Sequence, residues 1–280
     1  MTFRAVEVLS SVALVVAEDT RHSRHLLNHF KIATPLKSYH EHNEAKETPA
    51  LVSRMQAGEL IALISDAGTP LVSDPGARLV SAAAGAGVRV IPIPGASSVL
   101  AALVGSGLGA DRFQFIGFLE RKGKTRKEEI ERVVSSDSTI ILFESANRLH
   151  ATLSDLSAAG AGARRAVVAR ELTKQFEEFR RGTIAELAHS YDGGAPKGEV
   201  VILVEGKEPA EISDEAIEIL AGELIRGGSS PREVMDRLIK EHGAPRNTAY
   251  KLAHELSAAD EDGAATKTQK RVTKKDEQAS

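Results

Sequence analysis

Short apolar runs that refuse to alternate constrain this chain most. "VALVVAE" (12–18), "LIALIS" (60–65), "STIILFE" (138–144) and "GEVVILVEG" (198–206) lack the apolar–polar beat of a strand with one wet face. Such strands are covered on both sides, which is the habit of sheets sandwiched between helices. The stretches between them supply the helices. "DTRHSRHLLNHF" (19–30) reads as one, with Asp19 or Thr20 as N-cap, and 3–10, 48–58, 76–87 and 96–107 read as others. "VRVIPIPG" (88–95) reads as a further strand. The alternation predicts an α/β fold with a mainly parallel sheet.

The pattern changes twice. "FQFIGFL" opens a second α/β region after about residue 108, and from Ser213 onward only helical patterns remain. The expected domains are 1–108, 109–208 and a helical 213–257, followed by a disordered basic tail at 258–280. Ser230, Pro231 and Glu233 make a clean helix start. With no cysteine in 280 residues, disulfides and thiolate chemistry are excluded. No apolar run is long enough to span a membrane, and the N-terminus does not resemble a signal peptide, so a cytoplasmic protein is expected. The formal net charge of -3 argues against a uniformly basic nucleic-acid binder, but it allows local basic patches.

Chemistry-bearing residues gather where strands end. "LISDAGTPLVSDPG" runs from a strand into Gly68, Pro70, Pro75 and Gly76, with Asp66, Thr69, Ser73 and Asp74 between them. Open α/β sheets bind ligands beyond the carboxyl ends of their strands. Asp66 to Pro70 therefore reads as a ligand loop, or else as a tight turn with caps. It is neither a P-loop nor a GxGxxG turn. Ser97 and Ser98 stand at a helix start, to bond a ligand or to cap. His22, His25 and His29 share a helix face, and His40 and His42 flank Glu41. No HExxH occurs, and a polar groove wall is favoured over a metal site. Two basic stretches, 121–127 with Lys122, Lys124 and Arg126, and 170–181 with Arg170, Lys174, Arg180 and Arg181, suit a phosphate clamp or plain solvated faces. Glu144 lies just past a strand, as a cap paired with Arg148 or as a cleft residue.

Taken together, "AEDTRHSRHLLNHF", "SYHEHNE", "LISDAGTPLVSDPG", "PIPGASS", "GFLERKGKTR", "LFESANRL" and "ARELTKQFEEFRRGT" resemble the small-subunit rRNA 2'-O-methyltransferases of the tetrapyrrole methylase superfamily. The likeness covers about residues 2 to 257. It implies two α/β domains with a cofactor cleft between them, a small C-terminal helical domain that contacts RNA, and usually a homodimer. It also implies S-adenosyl-L-methionine as cofactor and the ribose of a cytidine in the 16S rRNA decoding centre as substrate.

Carried over residue by residue, the resemblance puts Asp66, Ala67, Gly68, Thr69 and Pro70 along the cofactor, with Ser97, Ser98, Phe143, Ala169 and Arg170. Gly68, Thr69 and Pro70 match the superfamily's Gly-Asp-Pro turn. Glu144 is the expected catalytic group, with Asp66, His22, His40 and Lys174 as other proton acceptors. Lys122, Lys124, Arg126 and Lys174, with Arg170, are the expected RNA contacts. One departure stands out: family members begin with a strand and loop that precede the helix matched by "TFRAVEVL". That strand is expected to be central, and a start upstream of Met1 is the expected explanation. Two other functions stay open, methylation of a small tetrapyrrole or corrinoid and non-enzymatic RNA or ribosome binding.

Overall fold

The computed structural model describes residues 1–207 and 214–255. Packing divides the chain after Lys207, and each part is described by itself.

In the first part, the order begins α1 (Phe3–Ser11), β1 (Leu14–Ala17), α2 (Thr20–His29), β2 (Leu36–Ser38), α3 (Glu44–Gln56) and β3 (Ile61–Ile64). Helices α4 (Ala77–Gly85) and α5 (Ser98–Ser106) follow. The three strands are parallel in the order β2-β1-β3. All four residues of β1 are buried, which is why its run does not alternate. Leu14 and Val16 pack with Tyr39, Leu51 and Leu79 on one face, and Val15 packs with Leu9, Leu27 and Ile32 on the other.

Two expectations for this lobe are corrected. Helix α3 starts at Glu44, four residues before the expected start at Thr48, with Pro49 inside it. Residues 88–95 join no ladder among the described residues; Val90 and Ile91 stay 46% and 48% exposed. Pro92 and Pro94 lack the N–H that a ladder needs.

The second lobe runs β4 (Phe113–Phe118), α6 (Lys124–Ser135), β5 (Thr139–Ser145), α7 (Leu149–Leu156) and β6 (Arg165–Arg170). It continues with β7 (Glu178–Thr183), α8 (Ile184–Ser190) and β8 (Glu199–Val204). Its sheet has the order β4-β5-β8-β6-β7. Only β4 and β5 pair in parallel, so this sheet is mixed rather than mainly parallel. Ile130, Val133, Leu149, Leu153 and Leu187 of α6, α7 and α8 cover one face. Helix α5 covers the other, with Val99, Ala102 and Leu103 against Ile141, Val167 and Leu203.

Helix α5 thus follows the first lobe in sequence and packs on the second lobe's sheet. Gly105 permits the approach: a methyl group there would meet the Phe179 ring, 2.7 Å from Cε1. Arg181 fastens the same helix end, donating from Nε to the Ser106 carbonyl at 3.0 Å and from Nη2 to the Gly105 carbonyl at 2.5 Å.

In the second part, α9 (Asp214–Arg226), α10 (Pro231–His242) and a helix at 246–255 surround Ile217, Ala221, Val234, Leu238, Ala249 and Ala253. Ser230 and Glu233 form the expected capping box, with Pro231 in the first turn. Gly243 ends α10 in the left-handed conformation that glycine tolerates best. Ser213, where the helical pattern was expected to start, and the expected tail at 258–280 lie outside the described residues. Among the described residues no helix is long and apolar enough to cross a membrane.

Candidate active site

Parallel strands deliver their carboxyl ends to one side, and the loops there are laced together. Asp19 caps α2 by accepting from the Arg21 and His22 amides. Its own amide donates to Asp66 Oδ1 at 3.3 Å, joining the ends of β1 and β3. Ser65 Oγ donates to the Ala67 carbonyl at 3.0 Å, and Thr69 Oγ1 donates to the Ala96 carbonyl at 2.8 Å. Asp66–Pro70 and Ser97–Ser98, expected together on one ligand, are therefore neighbours. Asp66, Ala67, Gly68 and Thr69 are exposed, and no atom lies within 4 Å of a Cβ built on Gly68. Ser97 Oγ accepts from the Leu100 amide at 3.4 Å, so one of the two serines is a helix cap.

Backbone strain gathers at the same place. Of the five described non-glycine residues with positive φ, Leu71 and Ser73 lie in this loop and Glu171 and Thr173 follow β6. Side chains other than glycine hold that region only when their surroundings demand it, and functional loops are where that happens. The loop also reaches the second lobe: Ser73 Oγ lies 3.6 Å from the position of a Gly117 Cβ.

From the second lobe, Phe143 is half-buried between Phe115, with ring centroids 4.7 Å apart, and Phe118, at 5.6 Å. Phe118 is 53% exposed, which leaves an open aromatic edge. Ala169 is buried beneath, on the same face of the sheet.

Glu144 departs from its expected role. Side chains alternate along a strand, so Glu144 points away from Phe143 into the layer of α7. There it is 3% exposed. It accepts from the Ser145 amide at 2.8 Å and from Thr152 Oγ1 at 2.6 Å, and Arg148 Nε stands 3.2 Å away. A carboxylate so enclosed ties β5 to α7 and faces away from Phe143.

The expected RNA cations divide in the same way. Arg126 is committed inside, donating to Asp155 Oδ2 at 2.7 Å, the Glu120 carbonyl at 2.9 Å and Thr152 Oγ1 at 3.2 Å. Lys174 pairs with Glu171 at 2.9 Å and Glu199 at 3.0 Å. Arg170 pairs with Glu178 at 2.9 Å and donates to the Lys197 carbonyl. Lys124 is 90% exposed, and among the described residues its ion-pair partner is Glu128 at 3.5 Å. Lys122 and its neighbour Arg121 are exposed and touch no acidic group among the described residues.

His22, His25 and His29 are exposed on α2, apart from the half-turn that buries Ser23, and no three metal-ligating side chains converge among the described residues. One group escaped the sequence reading. Glu18, the first residue past β1, is half-buried, and burial raises its carboxyl above the ordinary 4.5. Asp66, Asp74 and Asp19 push it further up, and His40 opposes them. Asp74 is raised by burial too, with Ser65's hydrogen bond opposing and Asp66 adding. The signal was available, because an acid ending a fully apolar strand sits at a ligand-binding edge. A cavity of about 250 Å³ lined by Ser106, Arg165, Arg181 and Glu186 lies elsewhere, at the opposite end of β6 from Arg170.

Comparison with known proteins gives these loops a context. Residues 1–188 match the profile of the tetrapyrrole (corrin/porphyrin) methylases. A Synechocystis sp. protein called ribosomal RNA small subunit methyltransferase I is 44% identical over 261 residues, 92% of this chain and 94% of that protein. Its Pseudomonas aeruginosa namesake is 45% identical over 257 residues, 91% of this chain and 86% of its own. A uroporphyrin-III C-methyltransferase from Thermus thermophilus, solved with S-adenyl homocysteine, superposes with a TM-score of 0.51. At 18% identity over 72% of this chain and 90% of that one, it attests the fold alone.

Proposed function

The chain belongs to the tetrapyrrole (corrin/porphyrin) methylase family, and on that premise we propose that it methylates ribosomal RNA of the small subunit with S-adenosylmethionine. The observation that carries the reading is the 44% identity, over 92% of the chain, to a ribosomal RNA small subunit methyltransferase I. The finer reading is methylation of the ribose 2'-hydroxyl of a cytidine in the 16S decoding centre, by a cytoplasmic homodimer built from domains at 1–108, 109–208 and 213–257.

The residues present suit the cofactor. The 66–70 loop offers exposed backbone donors and acceptors, Gly68 leaves open space, and Phe143 with Phe118 gives an apolar wall. When bound, the cofactor supplies an electrophilic methyl group on a sulfonium. The chain's part is alignment, since in-line displacement depends on holding the acceptor oxygen near the methyl carbon. Asp66–Pro70, Ser98 and the Phe143 wall would fix the donor. The exposed Arg121, Lys122 and Lys124 would hold RNA phosphates, which position without reading sequence. Arg126 and Lys174, held by internal partners, are assigned to stability instead. The helical unit would add contacts through exposed Arg246, Tyr250 and Lys251.

The test offers labelled cofactor with undermethylated small subunits and, in parallel, with a corrinoid precursor. Label in an alkali-resistant ribose of the small-subunit RNA is expected. Label only in the corrinoid, or in neither, would overturn the proposal.

A further inference from the structure

We propose that Glu18 is the proton acceptor for the substrate hydroxyl. This rests on the methyl-transfer reading above and names the group that completes its chemistry. A ribose hydroxyl is a weak acid, and its oxygen must lose the proton as it gains the methyl group. Glu144, the acid expected from the sequence, is enclosed on the far side of the second sheet. The acceptor must instead stand where the strand-end loops converge.

Three carboxylates stand there beside Asp19, and their hydrogen bonds tell them apart. Asp19 is held by Arg21 and by two amides. Asp66 accepts the Asp19 amide, and Asp74 has the Ser65 hydroxyl within reach, although that hydroxyl donates to the Ala67 carbonyl. Glu18 has no hydrogen-bond donor and no ion pair among the described residues, although it is half-buried. Burying an unpaired carboxylate costs free energy, and such groups collect at sites that use them.

The charged groups facing Glu18 are Asp66 and Asp74 after β3, Asp19 on its own segment and His40 after β2. The three acids make Glu18 a stronger base than an isolated carboxylate. His40 is the countercharge when protonated, and its Nδ1 is buried with no partner among the described residues. A substrate hydroxyl seated here would donate to Glu18, and His40 would gain a polar neighbour.

The step balances. The substrate oxygen forms its bond to the methyl carbon while the carbon–sulfur bond breaks. The bonding pair stays on sulfur and neutralises the sulfonium. The hydroxyl proton passes to the Glu18 carboxylate and leaves to solvent after product release.

The experiment compares the full chain with Glu18→Gln and Glu18→Asp on small subunits. It measures single-turnover methyl transfer against pH, cofactor Kd, and the titration of the Glu18 carboxyl by carbon NMR without cofactor. The glutamine variant is expected to lose about 10²–10⁴-fold in rate, the usual share of a general base. Its cofactor Kd should stay within about threefold of the parent, since uniform binding is not what a base supplies. The parent's rate should rise with pH through the same titration that NMR assigns to Glu18, above the ordinary 4.5. The aspartate variant should keep that rise at a lower rate. An unchanged rate in Glu18→Gln, a loss matched by weakened cofactor binding, or a titration at or below 4.5 would overturn the inference. A parent that methylates no RNA would instead fail the functional reading, and this inference with it.

Discussion

Glu144→Gln separates an architectural carboxylate from a catalytic one. Its two oxygens accept from the Ser145 amide and from the Thr152 hydroxyl, with Arg148 Nε at 3.2 Å. Glutamine keeps the shape but supplies one acceptor and one donor. One of the two bonds must therefore break or turn round, and the charge opposite Arg148 disappears. Thr152 softens the change, because its oxygen already accepts from Arg126 and its hydroxyl can rotate. Arg148 keeps the Leu119 carbonyl as a partner. The net cost is then that of one hydrogen bond to a charged group, about 1.5–3 kcal/mol. At about 2–4 °C per kcal/mol for a part of this size, Tm should fall by about 3–12 °C. The rate of methyl transfer per folded molecule should stay within about twofold, because Glu144 faces α7 and not the cleft. Thermal denaturation and single-turnover transfer below the lowered Tm check the two halves. A rate loss above about 100-fold with unchanged Tm is what a general acid–base group would show; it would refute the parity argument that places Glu144.

Four more perturbations probe the same account. Gly105→Ala drives a methyl group into the Phe179 ring, costing about 1–3 kcal/mol of overpacking against about 1 kcal/mol of gained helix propensity. The urea midpoint should fall, and Phe179→Leu in the same chain should recover part of it; a raised midpoint in Gly105→Ala alone would contradict the packing. Asp74 has its carboxyl raised in the folded chain by burial, so its favourable contribution is full below the ordinary 3.8 and disappears as pH rises through the folded value. Asp74→Asn should therefore stabilise at neutral pH and make no difference below 3.8, and urea midpoints at the two pH values read the sign. Charge reversal at Arg121 and Lys122 should weaken RNA binding and flatten its salt dependence by about one unit of slope for each phosphate left unneutralised. Arg126→Gln should lower Tm instead and leave that slope unchanged.

The interior strands were legible because burial on both faces writes itself into composition. β1, β5 and β8 are largely apolar, and their runs named them. Strand β7, with the sequence EFRRGT, was hidden: it lies at the sheet edge, where charged side chains blunt pairing. The proposed ligand loop at 66–70 and its neighbour at 97–98 were singled out by glycine, proline and hydroxyl spacing, and their adjacency through Thr69 is what the structure adds. What residue type cannot tell is direction. Phe143 and Glu144 are adjacent, and only the register of β5 against β8 decides which of them meets the cleft. Arg126 reads as a surface charge among lysines until Asp155, 29 positions away, is brought beside it. Glu18 went unremarked because it ends an apolar run, and the acids that surround it come from other strand ends.

The central claim is that the loops ending β1 and β3, together with the Phe143 wall, hold the methyl donor. Amide hydrogen exchange with and without S-adenosylhomocysteine tests this most directly. Slowed exchange at Ala67, Gly68, Thr69, Ser97 and Ser98, and around Phe118, is the predicted result. Protection confined to the cavity at Ser106, Arg181 and Thr183, with the 66–70 amides exchanging as before, would contradict it.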